Sequence, residues 1–252
     1  CPDALFINAH PNGTNINENC GSTHLESLSD FVVRNNCDVG LAFDGDADRF
    51  LAIDENGNEV DGDKLLSIFS KYMKSKDNLK NDTVVVTVMS NMGFFKFCED
   101  NSLNCEKAKV GDRYVLENML KGDYNLGGEQ SGHIIFLDHS TTGDGELSAL
   151  KLLLIMSATN KKLSSLASEM KVYPQVLKNI KVSDFGKARF PHDEEIKNAI
   201  NSAEKELGNN GRVLVRVSGT EPLIRVMLEG IDGNKIKVLA DELVDVVKER
   251  LL

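Results

Sequence analysis

Thr83-Val84-Val85-Val86-Thr87-Val88 is a run of six β-branched residues without a charge. A strand with one wet face alternates apolar and polar side chains, so an unbroken run of this kind reads as a strand buried on both faces of a parallel sheet. A helix is expected next over Gly93 to Glu99, then a strand from Cys105 to Val110 and a helix from Arg113 to Leu120. Alternation of this kind defines an α/β unit. Open α/β sheets bind ligands beyond their strand ends, which points to Ser90-Asn91-Met92-Gly93 and Val110-Gly111-Asp112-Arg113. Arg113 is therefore a candidate phosphate contact, with an ordinary surface arginine as the alternative.

Upstream, Leu41-Ala42-Phe43-Asp44-Gly45-Asp46-Ala47-Asp48-Arg49-Phe50-Leu51-Ala52-Ile53 sets three carboxylates in a tight loop between two apolar, strand-like runs. Small residues at 45 and 47 let the backbone fold tightly, so that Asp44, Asp46 and Asp48 converge on one cation. Without a cation they would repel one another. Asp44, Asp46, Asp48 and Glu55 also occupy positions one, three, five and twelve of a calcium-binding EF-hand, but that loop needs glycine where this chain has Arg49, and it needs flanking helices. Magnesium sharing its ligands with a phosphate fits better, against the alternative of an acidic turn that binds nothing. Around this loop the sequence predicts a strand at Ala4 to Asn8 and a capping box from Ser22 or Thr23 into a helix ending near Asn35. It also predicts a hairpin at Asn56-Gly57 and a helix after Asp61-Gly62-Asp63 whose apolar residues are Leu65, Leu66, Ile68, Phe69 and Tyr72.

Downstream, Leu126-Gly127-Gly128-Glu129-Gln130-Ser131-Gly132-His133 is a glycine-rich turn ahead of the apolar run Ile134-Ile135-Phe136. Glu129, Gln130, Ser131 and His133 offer the mixed donors and acceptors that sugar hydroxyls require, although a carboxylate beside a histidine also serves as a structural pair. Helices follow from Glu146 to about Ala158, with Leu147, Leu150, Leu154 and Ile155 on one face, and from Leu163 to Met170. Beyond Tyr173-Pro174 the pattern becomes α+β: a strand from Val176 to Val182, a helix from Asp193 to Leu207, strands at Arg212 to Val217 and Leu223 to Glu229, and a helix from Asn234 to Leu251. Between the last two strands, Ser218, Gly219 and Thr220, flanked by Arg216 and Arg225, could enclose a phosphate; a plain hairpin turn is the alternative.

Composition bounds the function classes. At 252 residues the chain exceeds one typical domain, and its division is expected at 1–62, 63–171 and 172–252. The formal charge of -10 argues against nucleic acid as a partner and requires a local basic pocket for any anionic substrate. No apolar run approaches the length of a membrane span and no signal peptide opens the sequence, which leaves the cytoplasm as the expected location. Five cysteines without a C-x-x-C pair suit reduced thiols better than disulfides or zinc.

D-G-D-A-D-R, G-G-E-Q-S-G-H and R-V-S-G-T-E-P, in this order, resemble the metal, sugar and phosphate loops of the α-D-phosphohexomutase family. Asn15 to Thr23 and Gln130 resemble its bacterial amino-sugar branch. The resemblance implies an α/β chain with two three-layer units, the first truncated, and a smaller α+β C-terminal domain. It implies Mg²⁺ on Asp44, Asp46 and Asp48, and Arg49 and His133 as catalytic residues. Substrate contacts are implied at Glu129, Ser131, Arg216, Ser218, Gly219, Thr220 and Arg225, beside the strand-end candidate Arg113. The implied activity converts glucosamine 6-phosphate to glucosamine 1-phosphate through a phosphoserine and a bisphosphate intermediate, in cell-wall precursor synthesis. Phosphomannomutase or phosphoglucomutase activity, and sugar-phosphate binding without turnover, are the alternatives. The implied partners are a hexose phosphate, the family's N-terminal domain and a second copy of the chain. The chain begins with Cys1 and reads as a fragment without the phosphoserine domain, inactive by itself. Val217 departs from the proline usual in the phosphate loop.

Overall fold

The computed structural model describes residues 4–219 and 221–252. The chain forms two compact units, the first ending at Lys171 and the second spanning Val172–Leu252.

In the first unit, α1 (Glu26–Asn35) leads into β1 (Val39–Phe43), β2 (Phe50–Asp54) and β3 (Glu59–Val60), an antiparallel sheet in the order β1-β2-β3. Helix α2 (Gly62–Ser75) follows, and the Asp61 side chain caps it by accepting a hydrogen bond from the Lys64 backbone N–H at 3.0 Å. A cap of this kind contributes about 1 kcal/mol. Next come β4 (Thr83–Thr87), α3 (Met92–Asp100), β5 (Asn104–Ala108), α4 (Asp112–Gly122), β6 (Leu126–Gly128) and β7 (Ile134–Phe136), then α5 (Gly145–Thr159) and α6 (Leu163–Ala167). The sheet runs β5-β4-β6-β7; β4 is parallel to β5 and β6, and β7 is antiparallel to β6.

All five residues of β4 are buried. Val84 and Val86 join the main apolar cluster with Phe69, Phe94 and Leu152, while Val85 packs on the opposite face with Val115 and Met119 of α4. The unbroken β-branched run is thus a strand covered by helices on both sides, as the alternation predicts. The same cluster includes Phe50, Leu51 and Ala52 of β2, so the two sheets share one core and residues up to Lys171 pack as a single unit.

In the second unit, β8 (Gln175–Lys181), α7 (Asp184–Arg189), α8 (Glu194–Leu207), β9 (Gly211–Val217), β10 (Leu223–Gly230) and α9 (Gly233–Leu251) form an antiparallel sheet in the order β8-β10-β9. Ile224, Val226 and Leu228 of β10 bury one face against Ile196 of α8 and Leu239, Leu243 and Val247 of α9.

Four local expectations are corrected. Ala4 to Asn8 forms no strand, and its Leu5 and Phe6 are exposed. The capping box is absent: Ser22 and Thr23 lie in a short 3-10 turn, and α1 begins after Leu25 without a side-chain cap. Of the face expected on α5, Ile155 is buried and Leu147 packs on the core, but Leu150 and Leu154 face outward, at 66% and 57% exposure, because Ser148, Ala149 and Leu152 take the inner positions. The helix expected to reach Met170 stops at Ala167.

Candidate active site

The β1–β2 hairpin builds the acidic loop. Its strands pair in register up to Phe43 opposite Phe50, which brings the ends of the six-residue connection together. Inside it, the Ala47 N–H donates to the Asp44 carbonyl at 3.1 Å, and Ala47 takes a left-handed φ of 56° that turns the chain sharply. Asp44, Asp46 and Asp48 each offer a carboxylate oxygen within 4.8 Å of the others, with Asp46 the most exposed. The flanks are strands, as a magnesium loop allows and an EF-hand does not.

Asp48 Oδ1 is buried without a hydrogen-bond partner among the described residues. Burial, then the neighbouring Asp44, holds the Asp48 carboxyl above its ordinary range, while His133 opposes the shift. A buried carboxylate oxygen with no hydrogen bond and only a long 3.8 Å ion pair to Arg49 Nε, within a trio of hard oxygen donors, is a fit for a divalent cation, which would satisfy that atom and offset the repulsion. Arg49 lines the same loop: its N–H donates to Asp44 Oδ1 at 3.1 Å, and its Nε lies 3.7 Å from Asp44 and 3.8 Å from Asp48.

The glycine-rich turn joins this loop directly. Arg49 and His133 form an antiparallel β-bridge, and the Phe50 N–H donates to the Gly132 carbonyl at 3.0 Å. His133, only 4% exposed, places Nε2 at 3.6 Å from Asp48 Oδ2 and accepts a hydrogen bond there from the Gly143 N–H at 3.2 Å. An Nε2 that accepts leaves the ring proton of a neutral imidazole on Nδ1, which is buried and has no partner among the described residues. Glu129 Oε1 accepts from the Gly111 N–H at 3.1 Å, next to the start of α4, and Ser131 is exposed at the tip of the turn. Arg113, on the first turn of α4, is exposed and paired with Glu117 at 2.7 Å.

Sequence reasoning missed the segment that wedges these parts together, Gly143-Asp144-Gly145. A Cβ on Gly143 would lie 2.5 Å from the His133 ring and 2.6 Å from the Asp48 carbonyl oxygen, so only glycine passes there. Asp144 caps α5 by accepting from the Leu147 N–H, and the Gly145 N–H donates to the Ala47 carbonyl at 2.8 Å. The available signal was a G-D-G tripeptide just before a helix, a pattern that equally marks an ordinary capped turn.

The second unit carries the arginine hairpin between β9 and β10. Arg216 and Arg225 are directly cross-strand, and each has a buried Nε without a hydrogen-bond partner among the described residues. Burial, and then the charge of Arg225, lowers the proton affinity of the Arg216 guanidinium. Arg225 also binds Glu221 at 2.6 Å. Ser218 is buried and its Oγ accepts from the Glu221 N–H at 3.3 Å, while Gly219 is exposed. Thr220 lies outside the described residues.

The chain thus carries an α/β unit that couples a carboxylate trio to a polar glycine-rich turn, followed in sequence by an α+β unit with paired arginines. Three family models match in order: the phosphoglucomutase/phosphomannomutase alpha/beta/alpha domain II at residues 1–57, alpha/beta/alpha domain III at 61–173 and the C-terminal domain at 177–246. The chain belongs to the phosphoglucomutase/phosphomannomutase family.

It is 55% identical over 249 residues to the phosphoglucosamine mutase of Acetivibrio thermocellus, covering 99% of this chain and 56% of that protein. It is 56% identical over 244 residues to the phosphoglucosamine mutase of Clostridium acetobutylicum, covering 97% of this chain and 54% of that protein. The chain thus spans about half the length of the curated relatives it matches. Its fold resembles the Aspergillus fumigatus N-acetylphosphoglucosamine mutase in complex with GlcNAc-6P and magnesium, with a TM-score of 0.73 at 18% identity, covering 94% of this chain and 54% of that one.

Proposed function

We propose that a protein carrying this chain, together with the part of its relatives that the chain does not span, is a cytoplasmic phosphoglucosamine mutase. It interconverts glucosamine 6-phosphate and glucosamine 1-phosphate and supplies amino-sugar precursors of the cell wall. The observation that carries this reading is the juncture of the two loops: the Arg49–His133 bridge puts the sugar-binding turn against the carboxylate trio. Identity above 50% to phosphoglucosamine mutases along nearly the whole chain supports the choice of sugar.

In this reading the phosphoryl donor is a phosphoserine outside these 252 residues. As the free hydroxyl of the sugar phosphate forms a P–O bond to that phosphoryl group, the serine oxygen–phosphorus bond breaks, and the proton lost by the hydroxyl ends on the serine oxygen. The bisphosphate so made turns over and returns its other phosphate to the serine. Mg²⁺ on Asp44, Asp46 and Asp48 would offset phosphoryl charge. Arg49 adds a further positive charge beside the loop. Glu129 and Ser131 bind sugar hydroxyls in either orientation, and His133 is the candidate for proton transfer. Arg216, Ser218, Gly219, Thr220 and Arg225 hold the phosphate that is not reacting, with Arg113 as a further phosphate contact. Residues 1–62, 63–171 and 172–252 serve as metal, sugar and phosphate domains, a division supported by the three family-model matches. By themselves the 252 residues would bind a hexose phosphate without turning it over.

Measuring kcat/KM of the full-length enzyme for glucosamine 6-phosphate, glucose 6-phosphate and mannose 6-phosphate tests the assignment. Preference for the amino sugar is expected; preference for mannose or glucose would move the protein to the phosphomannomutase or phosphoglucomutase reading.

A further inference from the structure

Gln130 sits between the two residues assigned to the sugar, yet its side chain is engaged elsewhere. Its Nε2 donates to Asp61 Oδ2 at 3.1 Å. The other oxygen of Asp61 caps α2, accepting from the Lys64 N–H at 3.0 Å, so one carboxylate fastens the turn at 129–132 to the start of a fourteen-residue helix. The backbone repeats the attachment: the Gly62 N–H donates to the Gln130 carbonyl at 2.9 Å. The contact is close enough that a Cβ on Gly62 would lie 2.1 Å from the Glu129 carbonyl oxygen and 2.8 Å from the Gly132 nitrogen. Helix α2 is anchored in the main core through Leu65, Leu66 and Phe69, which makes it a rigid support.

We propose that Asp61 is a positioning residue for the sugar-binding turn, acting through Gln130, and that Asp61 rather than the sugar dictates an amide at position 130. This deepens the phosphosugar assignment and rests on it. The chemistry is specific. An ionised carboxylate only accepts hydrogen bonds, so position 130 must present a donor. Methionine there would offer none, and glutamate would set two carboxylates against each other. The turn would then leave α2 and carry Glu129 and Ser131 out of register with the substrate, at a cost in rate typical of small misplacements. The carboxylate trio has ties of its own through Gly143 and Gly145, whereas the Arg49–His133 bridge and the Phe50 N–H hold only the far end of the turn, at 132–133, and leave 129–131 to Asp61 and Gly62.

Swapping the two groups tests this. In the full-length enzyme, Gln130→Glu is expected to raise KM for glucosamine 6-phosphate about tenfold, a shift typical of lost orientation, with the half-saturating Mg²⁺ concentration unchanged. Adding Asp61→Asn to Gln130→Glu restores a donor facing an acceptor in the same space and should return KM to within about threefold of wild type. A double variant as impaired as the single one, or a Gln130→Glu enzyme equal to wild type, would overturn the inference, since a glutamine acting directly on the sugar is not repaired from Asp61. If the wild-type enzyme turns over no hexose phosphate, the proposed function fails instead. The inference is then judged on hydrogen exchange at the Gly62 N–H in the same proteins: protection lost in the single variant and regained in the double upholds it, and protection equal in all three overturns it.

Discussion

His133 Nε2 lies 3.6 Å from Asp48 Oδ2 while accepting a hydrogen bond from the Gly143 N–H at 3.2 Å. The acidic loop, the glycine-rich turn and the segment before α5 thus meet at one imidazole, and the meeting depends on the absence of a side chain at 143. Gly143→Ala would place a methyl group 2.5 Å from the ring, so His133 and Asp48 must both shift. The expected result is a loss of at least about tenfold in kcat of the full-length enzyme together with weaker Mg²⁺ dependence, because misplacement of catalytic groups by an ångström costs this much or more. Kinetics across a Mg²⁺ titration would show it; an alanine variant with wild-type kinetics would mean that His133 takes no part.

Asp46 is the outermost of the three carboxylates. On the proposed reading, replacing it with alanine removes a cation ligand, and it also removes one of the charges that repel each other in the metal-free loop. Melting curves with and without Mg²⁺ are the check. The metal-free variant should melt at the wild-type temperature or slightly above it, and the rise that Mg²⁺ gives the wild type should be absent. A Mg²⁺-dependent rise as large as that of wild type would exclude Asp46 as a ligand.

Arg216 and Arg225 face each other across β9 and β10 with both Nε atoms unengaged among the described residues. Glu221, 2.6 Å from Arg225, offsets one of the two charges and leaves both Nε groups for a further anion, so Arg225→Gln should weaken hexose phosphate binding by about 2 to 4 kcal/mol, the range for losing a charged partner. Isothermal titration of the full-length enzyme with glucosamine 1-phosphate measures the difference; equal affinities would remove the arginine pair from the site.

Glu55 gives a pH-dependent prediction. Burial pushes its carboxyl upward, but the Ser164 hydroxyl at 2.5 Å, the Ser164 N–H and the nearby Lys162 outweigh burial and hold it below its ordinary value of 4.5. A carboxyl lowered in the folded state stabilises the fold above the unfolded value, and that contribution is lost as pH falls through the folded value. Glu55→Gln should therefore lower the unfolding free energy from urea titration at pH 7 by about 1 kcal/mol, the size of a partly exposed charged hydrogen bond, and leave it near wild type at the acid end. A gap independent of pH would show that Glu55 contributes through packing alone.

The fold was legible wherever burial and periodicity agreed. Thr83 to Val88 announced a doubly covered strand, and the apolar spacing after Asp61-Gly62-Asp63 announced a helix that the structure contains. Helix α5 was misread because leucines occur all round it: Leu147, Leu150, Leu152, Leu153 and Leu154 cannot all face the core, and Ser148 and Ala149 won the inner positions where α5 packs closely. Ser22 looked like a cap, yet its hydroxyl is buried and α1 starts four residues later. At the site, ligand-type residues were visible because charge and hydroxyl groups clustered beside glycine. Residues that act by being small or by holding others, Gly62, Gly143 and Asp61, were not, since their roles exist only in contacts between segments far apart in the chain.

The most direct test of the account is phosphorus NMR of the full-length enzyme with glucosamine 6-phosphate, Mg²⁺ and a trace of glucose 1,6-bisphosphate. Glucosamine 1-phosphate should appear, and its appearance should cease with Asp46→Ala or on chelation of the metal. No interconversion by the wild type, or interconversion undiminished in Asp46→Ala under chelator, would contradict a phosphosugar site built on the carboxylate trio and the sugar-binding turn.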